Sequence, residues 1–311
     1  MIINEFNPNL KIFLKSKPIE IQTNNFKNND KRINFDGTLK KTSRYKFSKI
    51  DNFYQYEPTI SFDKDNIIFF DNKGSILKFD TNSKLKWKKN YYSKSEKKLN
   101  PILQFSNNKK YLIVADNIAK YYLINLETGD LIWQKSNLAP FNSQIKIYED
   151  KFFIVDFSNT LRCFSLKDGS EIWNIQTENS LIRSQKKLSM VINDDTIFFN
   201  NSIGDITAVD INNGELKWQL PTQSSSIYES AFTLKNSDLV LDKETLFFSN
   251  NKNEIFSIDT STGNFKWKND INSSLRPTIA ENFLITISSE GYLFIVDKNS
   301  GNILRITDVF N

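Results

Sequence analysis

The chain has 311 residues, with 41 Lys and Arg against 36 Asp and Glu and no histidine. A net charge of +5 is too small for a surface dedicated to polyanions, and the absence of histidine removes Ser-His-Asp and Cys-His catalysis, histidine metal sites and histidine haem ligation. One cysteine, Cys163, leaves no intrachain disulfide, and no apolar run is long enough for a membrane-spanning helix.

In chain order, residues 1–43 read as an irregular segment rich in Asn and Lys, and residues 1–30 as a tether. Met1–Leu14 lacks the basic, apolar and small-residue order of a secretory signal. Asp36-Gly37 is a hairpin-turn dipeptide, and Tyr45–Ile50 is a candidate strand for closing a ring.

From residue 44 to 311 the sequence becomes periodic and reads as one domain. Short runs rich in Ile, Phe, Val and Leu alternate with turns rich in Asn, Asp, Gly and Ser, as in Ile67–Phe70 then Ser75–Phe79, or Thr196–Phe199 then Asp205–Val209. Such runs predict strands joined by hairpins. A further apolar run precedes each pair: Pro58–Phe62, Pro101–Phe105, Gln144–Tyr148, Leu188–Ile192, Leu239–Leu241 and Pro277–Ala280.

Each group ends in a recurring phrase of Asp, a turn, Gly, three residues and Trp. Its clearest copies are Asp210…Gly214…Trp218 and Asp259…Gly263…Trp267. Asn125…Gly129…Trp133 and Ser165…Gly169…Trp173 replace the Asp, Asp80…Trp87 is one residue short and lacks the Gly, and Asp297…Gly301…Arg305 ends in Arg. The copies lie roughly 45 residues apart and end near 90, 136, 176, 221, 270 and 307, with length differences assigned to loops.

Four strands per repeat and six repeats predict an all-β propeller of four-stranded antiparallel blades, since a single blade would expose both apolar faces and must stack on others. Within the phrase, Asp closes the turn through its side chain, Gly supplies positive φ, and Trp offers its surface to the gap between blades. One Trp per repeat is the pattern of packing, not of a single ligand site.

The segment Ala208-Val-Asp-Ile-Asn-Asn-Gly-Glu-Leu-Lys-Trp218 resembles the repeat of pyrroloquinoline-quinone-type propellers, and Ser257 to Trp267 matches it nearly as well. The resemblance covers residues 58–307 and is nearest to the BamB-like scaffolds. In that family it implies an eight-bladed ring, so about two further blades of roughly 40 residues would lie outside this chain. It also implies a non-catalytic scaffold on the periplasmic face of the outer membrane, held there through its complex or a lipid anchor. The implied partners are the periplasmic repeats of the barrel-assembly subunit and unfolded outer-membrane proteins. Two loops carry the partner contacts in the family. Ser180-Leu-Ile-Arg183 resembles the first, pointing to Leu181 and Arg183, and Ser237-Asp238 resembles the second, although Val240 stands where a further acid belongs.

The alternative implied by the same repeat is a quinone-dependent dehydrogenase using pyrroloquinoline quinone and Ca²⁺. Its adjacent-cysteine disulfide has no counterpart here, no Gly-rich phosphate loop is present, and no cofactor is expected. The acid pairs Asp63/Asp65 and Asp194/Asp195 fall in predicted hairpin turns. The basic stretch Lys84–Lys98, interleaved with Trp87, Tyr91 and Tyr92, reads as a solvated edge strand and loop that resists edge-to-edge pairing. Cys163 reads as a small buried hydrophobe.

Overall fold

A computed structural model describes residues 5–14, 28–29, 44–45, 59–178, 186–222, 236–250 and 252–310. Among these, 24 strands form six four-stranded antiparallel sheets. The described residues contain no helix long and apolar enough to cross a membrane.

The chain divides into two compact units. One contains residues 20–26 and 37–177. Its first blade is β1 (Ser61–Asp63), β2 (Asn66–Phe70), β3 (Ile76–Asp80) and β4 (Leu85–Lys89). The second is β5 (Leu103–Asn107), β6 (Tyr111–Asp116), β7 (Lys120–Asn125) and β8 (Leu131–Ser136). The third is β9 (Lys146–Tyr148), β10 (Lys151–Val155), β11 (Thr160–Ser165) and β12 (Glu171–Gln176).

The other unit contains residues 1–19, 27–36 and 178–311. Its fourth blade is β13 (Met190–Asn193), β14 (Thr196–Asn200), β15 (Ile206–Asp210) and β16 (Leu216–Leu220). The fifth is β17 (Val240–Asp242), β18 (Thr245–Ser249), β19 (Ile255–Asp259) and β20 (Phe265–Asn269). The sixth is β21 (Thr278–Ala280), β22 (Phe283–Ile287), β23 (Tyr292–Asp297) and β24 (Ile303–Asp308).

Sequential pairing within each sheet follows from the short hairpins, which let each strand find its neighbour at low loop-closure cost. In the blades between the first and the last, the second and third strands are buried almost throughout, as in β14 and β6, because both of their faces meet apolar surface. They therefore read as continuous apolar runs with no alternation. The fourth strands are largely exposed. Side chains of adjacent blades merge into shared cores. Phe70 of β2 meets Phe105 of β5 with ring centroids 5.8 Å apart, and Val191 of β13 shares a core with Leu246 and Phe256 of the fifth blade. Each fully buried Phe, Leu or Ile contributes about 1.5–3 kcal/mol, so the stacked faces supply most of the stability.

The residue-43/44 boundary borders residues outside the described set, as does most of Tyr45–Ile50. Residues 5–14 of the N-terminal segment are described and contact the last blade. Phe6 and Ile306 of β24 exchange backbone hydrogen bonds of 3.2 and 3.1 Å. Asn7 donates its amide to the Leu304 carbonyl at 3.2 Å. The outer edge of the last blade offers unpaired backbone groups, and this segment satisfies part of them.

Candidate partner-binding loops

Each blade has two ends. One carries the first and third hairpins, the latter being the Asp-Gly-Trp phrase. The other carries the second hairpin and the loop that crosses to the next blade.

At the phrase end, the Asp or Asn carboxyl or amide oxygen accepts backbone N–H groups two or three residues on, as Asp259 does from Ser261 and Thr262 at 3.0 and 3.1 Å. The glycine N–H closes the turn on the carbonyl of the same Asp, at 2.9 Å for Gly263 and 3.0 Å for Gly214. Gly129, Gly169, Gly214, Gly263 and Gly301 all have φ between 70° and 78°. A second constraint acts on four of them: a Cβ on Gly129, Gly169, Gly263 or Gly301 would stand 2.7–2.9 Å from the indole of Trp87, Trp133, Trp218 or Trp267 in the preceding blade.

The indole then reaches past the glycine. Trp133, Trp218 and Trp267 donate Nε1–H to the carbonyls of Leu166, Thr260 and Lys298, each at 2.9 Å. Each acceptor immediately follows the turn-closing residue of the next phrase, so one repeat locks the next by packing and by one hydrogen bond.

Trp87 departs from this arrangement. Its Nε1 is buried without a partner among the described residues, and the equivalent acceptor, the Leu126 carbonyl, takes the Lys78 ammonium at 3.0 Å. Lys78 is buried and also pairs with Asp63 at 2.7 Å, which gives Asp63 a structural role beyond its turn. Trp173 stacks on Phe153 with centroids 5.7 Å apart, and its Nε1 has no partner among the described residues. Arg305, at the Trp position of the last phrase, donates from its Nη1 to the Leu10 carbonyl at 3.0 Å.

At the opposite end, a repeat that sequence reasoning missed organises the second hairpins. Asp71, Asp116, Asp156, Asn201 and Asn250 each end or immediately follow a second strand. Each accepts the N–H groups two and four residues on, at 2.8–3.3 Å. The signal was available as a lone Asp or Asn after each second apolar run. The crossing loops then fasten onto these hairpins, as Thr222 does through its hydroxyl to the Gly204 carbonyl at 2.8 Å.

The second blade adds a buried polar cluster there. Tyr92 donates its phenol to Asp116, and Lys120 pairs with Glu96 at 2.7 Å while lying 4.7 Å from the Tyr92 ring centroid. Burial pushes the Asp116 carboxyl above its usual range and the Tyr92 phenol well above its own.

Leu181 and Arg183 lie outside the described residues. Asp238 is described and half-buried, in the crossing loop that precedes β17. Its carboxylate stands 3.9 Å from the guanidinium of Arg276, which belongs to the crossing loop before β21. Sequence reasoning did not single out Arg276, and only the neighbouring blade's fold brings it to Asp238. Asn236, two residues before Asp238, is fully buried with neither amide atom hydrogen-bonded among the described residues. Leu275, beside Arg276, is exposed. A mixed-charge pair with an adjacent exposed leucine suits recognition of polypeptide surfaces.

The acid pairs and the basic stretch are accounted for locally. Asp194 occupies a hairpin turn at φ 42°, and Asp195 pairs with Lys217 at 3.0 Å. Lys86, Lys88 and Lys89 of β4 pair with Asp80, Asp71 and Asp130 at 3.3, 3.3 and 2.8 Å. Cys163 is fully buried in β11, and burial pushes its thiol up to about 12. Among the described residues, no group of three or more Asp, Glu, Cys or His is placed to hold a metal ion.

Blades of this kind, four of them locked to the preceding blade by a Gly–Trp contact, define a β-propeller of the pyrroloquinoline-quinone-repeat class. The family model described as outer membrane protein assembly factor BamB matches residues 56–307, and the chain belongs to that family. A search of curated proteins gives no significant match. Among solved structures, BamB from Moraxella catarrhalis is similar at 16% identity and TM-score 0.67, over 80% of this chain and 75% of that one. A europium-containing methanol dehydrogenase has 11% identity and TM-score 0.53, and covers 67% of this chain but 51% of its own. A quinohemoprotein alcohol dehydrogenase from Comamonas testosteroni has 15% identity and TM-score 0.53, over 67% of this chain and 43% of that one. At these identities the structural likeness concerns the fold.

Proposed function

We propose that the chain is a non-catalytic scaffold that binds other polypeptides through its crossing loops, in the assembly and insertion of outer-membrane β-barrel proteins. Membership of the BamB family over residues 56–307 carries this reading. Its partners are then the periplasmic repeats of the barrel-assembly subunit and unfolded outer-membrane proteins. Its place is the periplasmic face of the outer membrane, reached through the complex or a lipid anchor. Leu181, Arg183 and Asp238 are the proposed contacts, and the position of Arg276 beside Asp238 adds it to them.

The reading is tested by capture of the purified periplasmic repeats on immobilised chain. Arg183→Glu and Asp238→Lys are each expected to weaken binding by about 1–2 kcal/mol or more, with unfolding unchanged. Capture at wild-type strength by both variants removes the site. The likeness to two dehydrogenases supports a second reading, a quinone-dependent enzyme or sensor. Visible absorbance and alcohol oxidation on adding pyrroloquinoline quinone and Ca²⁺ to the purified chain would establish it in place of the first.

A further inference from the structure

The innermost strand of each blade is paired on one edge only, which leaves the other edge with backbone donors and acceptors to satisfy. On β13 and β17 that edge is engaged by two residues from the far end of the sequence. The Asn29 carboxamide Nδ2 lies 3.0 Å from each of three acceptors: the Met190 carbonyl, the Leu239 carbonyl and the Ser189 hydroxyl. The preceding carbonyl, of Asn28, accepts the Leu241 N–H at 2.9 Å.

Met190 and Leu239 occupy equivalent positions, each one residue before the valine that pairs with the central Phe of the second strand. Two consecutive blades therefore aim the same backbone carbonyl at one point. Ser189 completes the notch and is fixed in turn by the Leu239 N–H, which donates to its hydroxyl at 3.0 Å.

The chemistry of this notch is selective. Asn29 is fully buried and has φ 58°, a conformation that Asn adopts more readily than most residues. Three acceptors at one point call for an N–H₂ group, which an Asp cannot supply and whose carboxylate two carbonyls would repel. The backbone bond from the Leu241 N–H to the Asn28 carbonyl adds one main-chain contact with the edge of β17.

We propose that the notch between the innermost strands of the fourth and fifth blades is a peptide-binding site that reads a segment through one asparagine carboxamide. Residues 28–29 are its intramolecular occupant. Being tethered, they sit at an effective concentration of the order of millimolar, so a free peptide competes only when their anchor is weakened. This site is separate from the crossing-loop contacts, and its test does not use the barrel-assembly subunit, so either reading can fail alone.

The probe is a fluorescein-labelled peptide of residues 24–34, titrated by anisotropy into the full chain. Saturable binding to the Asn29→Ala chain is expected, at least tenfold tighter than to wild type. A peptide carrying Asp in place of Asn29 should bind at least tenfold more weakly. Absence of binding to a folded Asn29→Ala chain, or equal binding of both peptides, overturns the proposal. Should that variant not fold, hydrogen exchange at the Leu241 amide of wild type decides. Exchange through a local opening that excess peptide suppresses supports the site, and exchange only with global unfolding overturns it.

Discussion

At the phrase end the same few contacts recur: a side-chain-closed turn, a glycine at positive φ and, at Gly129, Gly169, Gly263 and Gly301, an indole from the preceding blade resting on that glycine. At the opposite end only the second hairpin recurs. The crossing loops differ in length, from residues 270–277 between β20 and β21 to 221–239 between β16 and β17, and they carry Asp238, Asn236 and Arg276. Repetition at one end ties a blade to its neighbour within each unit, because the same glycine and indole must fit together each time. Variation at the other is tolerated because no neighbouring repeat depends on it, and that freedom is what lets loops acquire binding roles.

Substitutions at the phrase end should therefore cost most. Trp218→Ala removes the ring over Gly263 and the bond to the Thr260 carbonyl, and is expected to cost about 3–5 kcal/mol in urea unfolding. Trp87→Ala should cost about 1 kcal/mol less than that, since its indole N–H makes no bond. Equal losses would show that the hydrogen bond adds nothing to the lock.

Gly263→Ala places a methyl 2.8 Å from the Trp218 ring at φ 75°. The expected loss is about 1–3 kcal/mol, read from the same unfolding curves, because both crowding and backbone strain act. If Gly263→Ala were neutral, the ring would have room to shift and the contact would not constrain the repeat.

A pH series sharpens the role of the turn-closing aspartates. A hydrogen bond from the Ser261 hydroxyl holds the Asp259 carboxyl down at about 2. A depressed pKa contributes stability above the ordinary carboxylate value that is lost as pH falls toward the folded value. Asp259→Asn should thus be less stable than wild type at pH 7, with the gap closing between pH 4 and 2. A gap independent of pH would assign the effect to geometry and not to charge.

The smallest effects belong to the crossing loops. Asp238→Ala and Arg276→Ala should each change unfolding by less than about 0.5 kcal/mol, because a partly exposed pair at 3.9 Å is weak. A loss comparable to that of Gly263→Ala would make this pair part of the scaffold.

Four copies of the Gly-x-x-x-Trp spacing and two degenerate ones were enough to read six blades, because a requirement repeated from blade to blade leaves a repeated trace. The hairpins of Asp71, Asp116 and Asn250 left an equally regular trace that passed unnoticed, since single Asp and Asn residues are common in any turn. Leu181 and Arg183 remain sequence inferences, as their loop lies outside the described residues.

Local chemistry thus determined strand content, turn positions and the residue type at each lock, all set by neighbours within a repeat. What the tertiary structure alone decided are the pairings between distant segments: Lys78 taking the carbonyl that Trp87 would otherwise reach, Arg276 facing Asp238, Phe6 on the edge of β24, and Asn29 between Met190 and Leu239. These depend on which backbone groups the stacking of blades leaves unsatisfied, a property of the assembled edge that no single stretch of sequence contains.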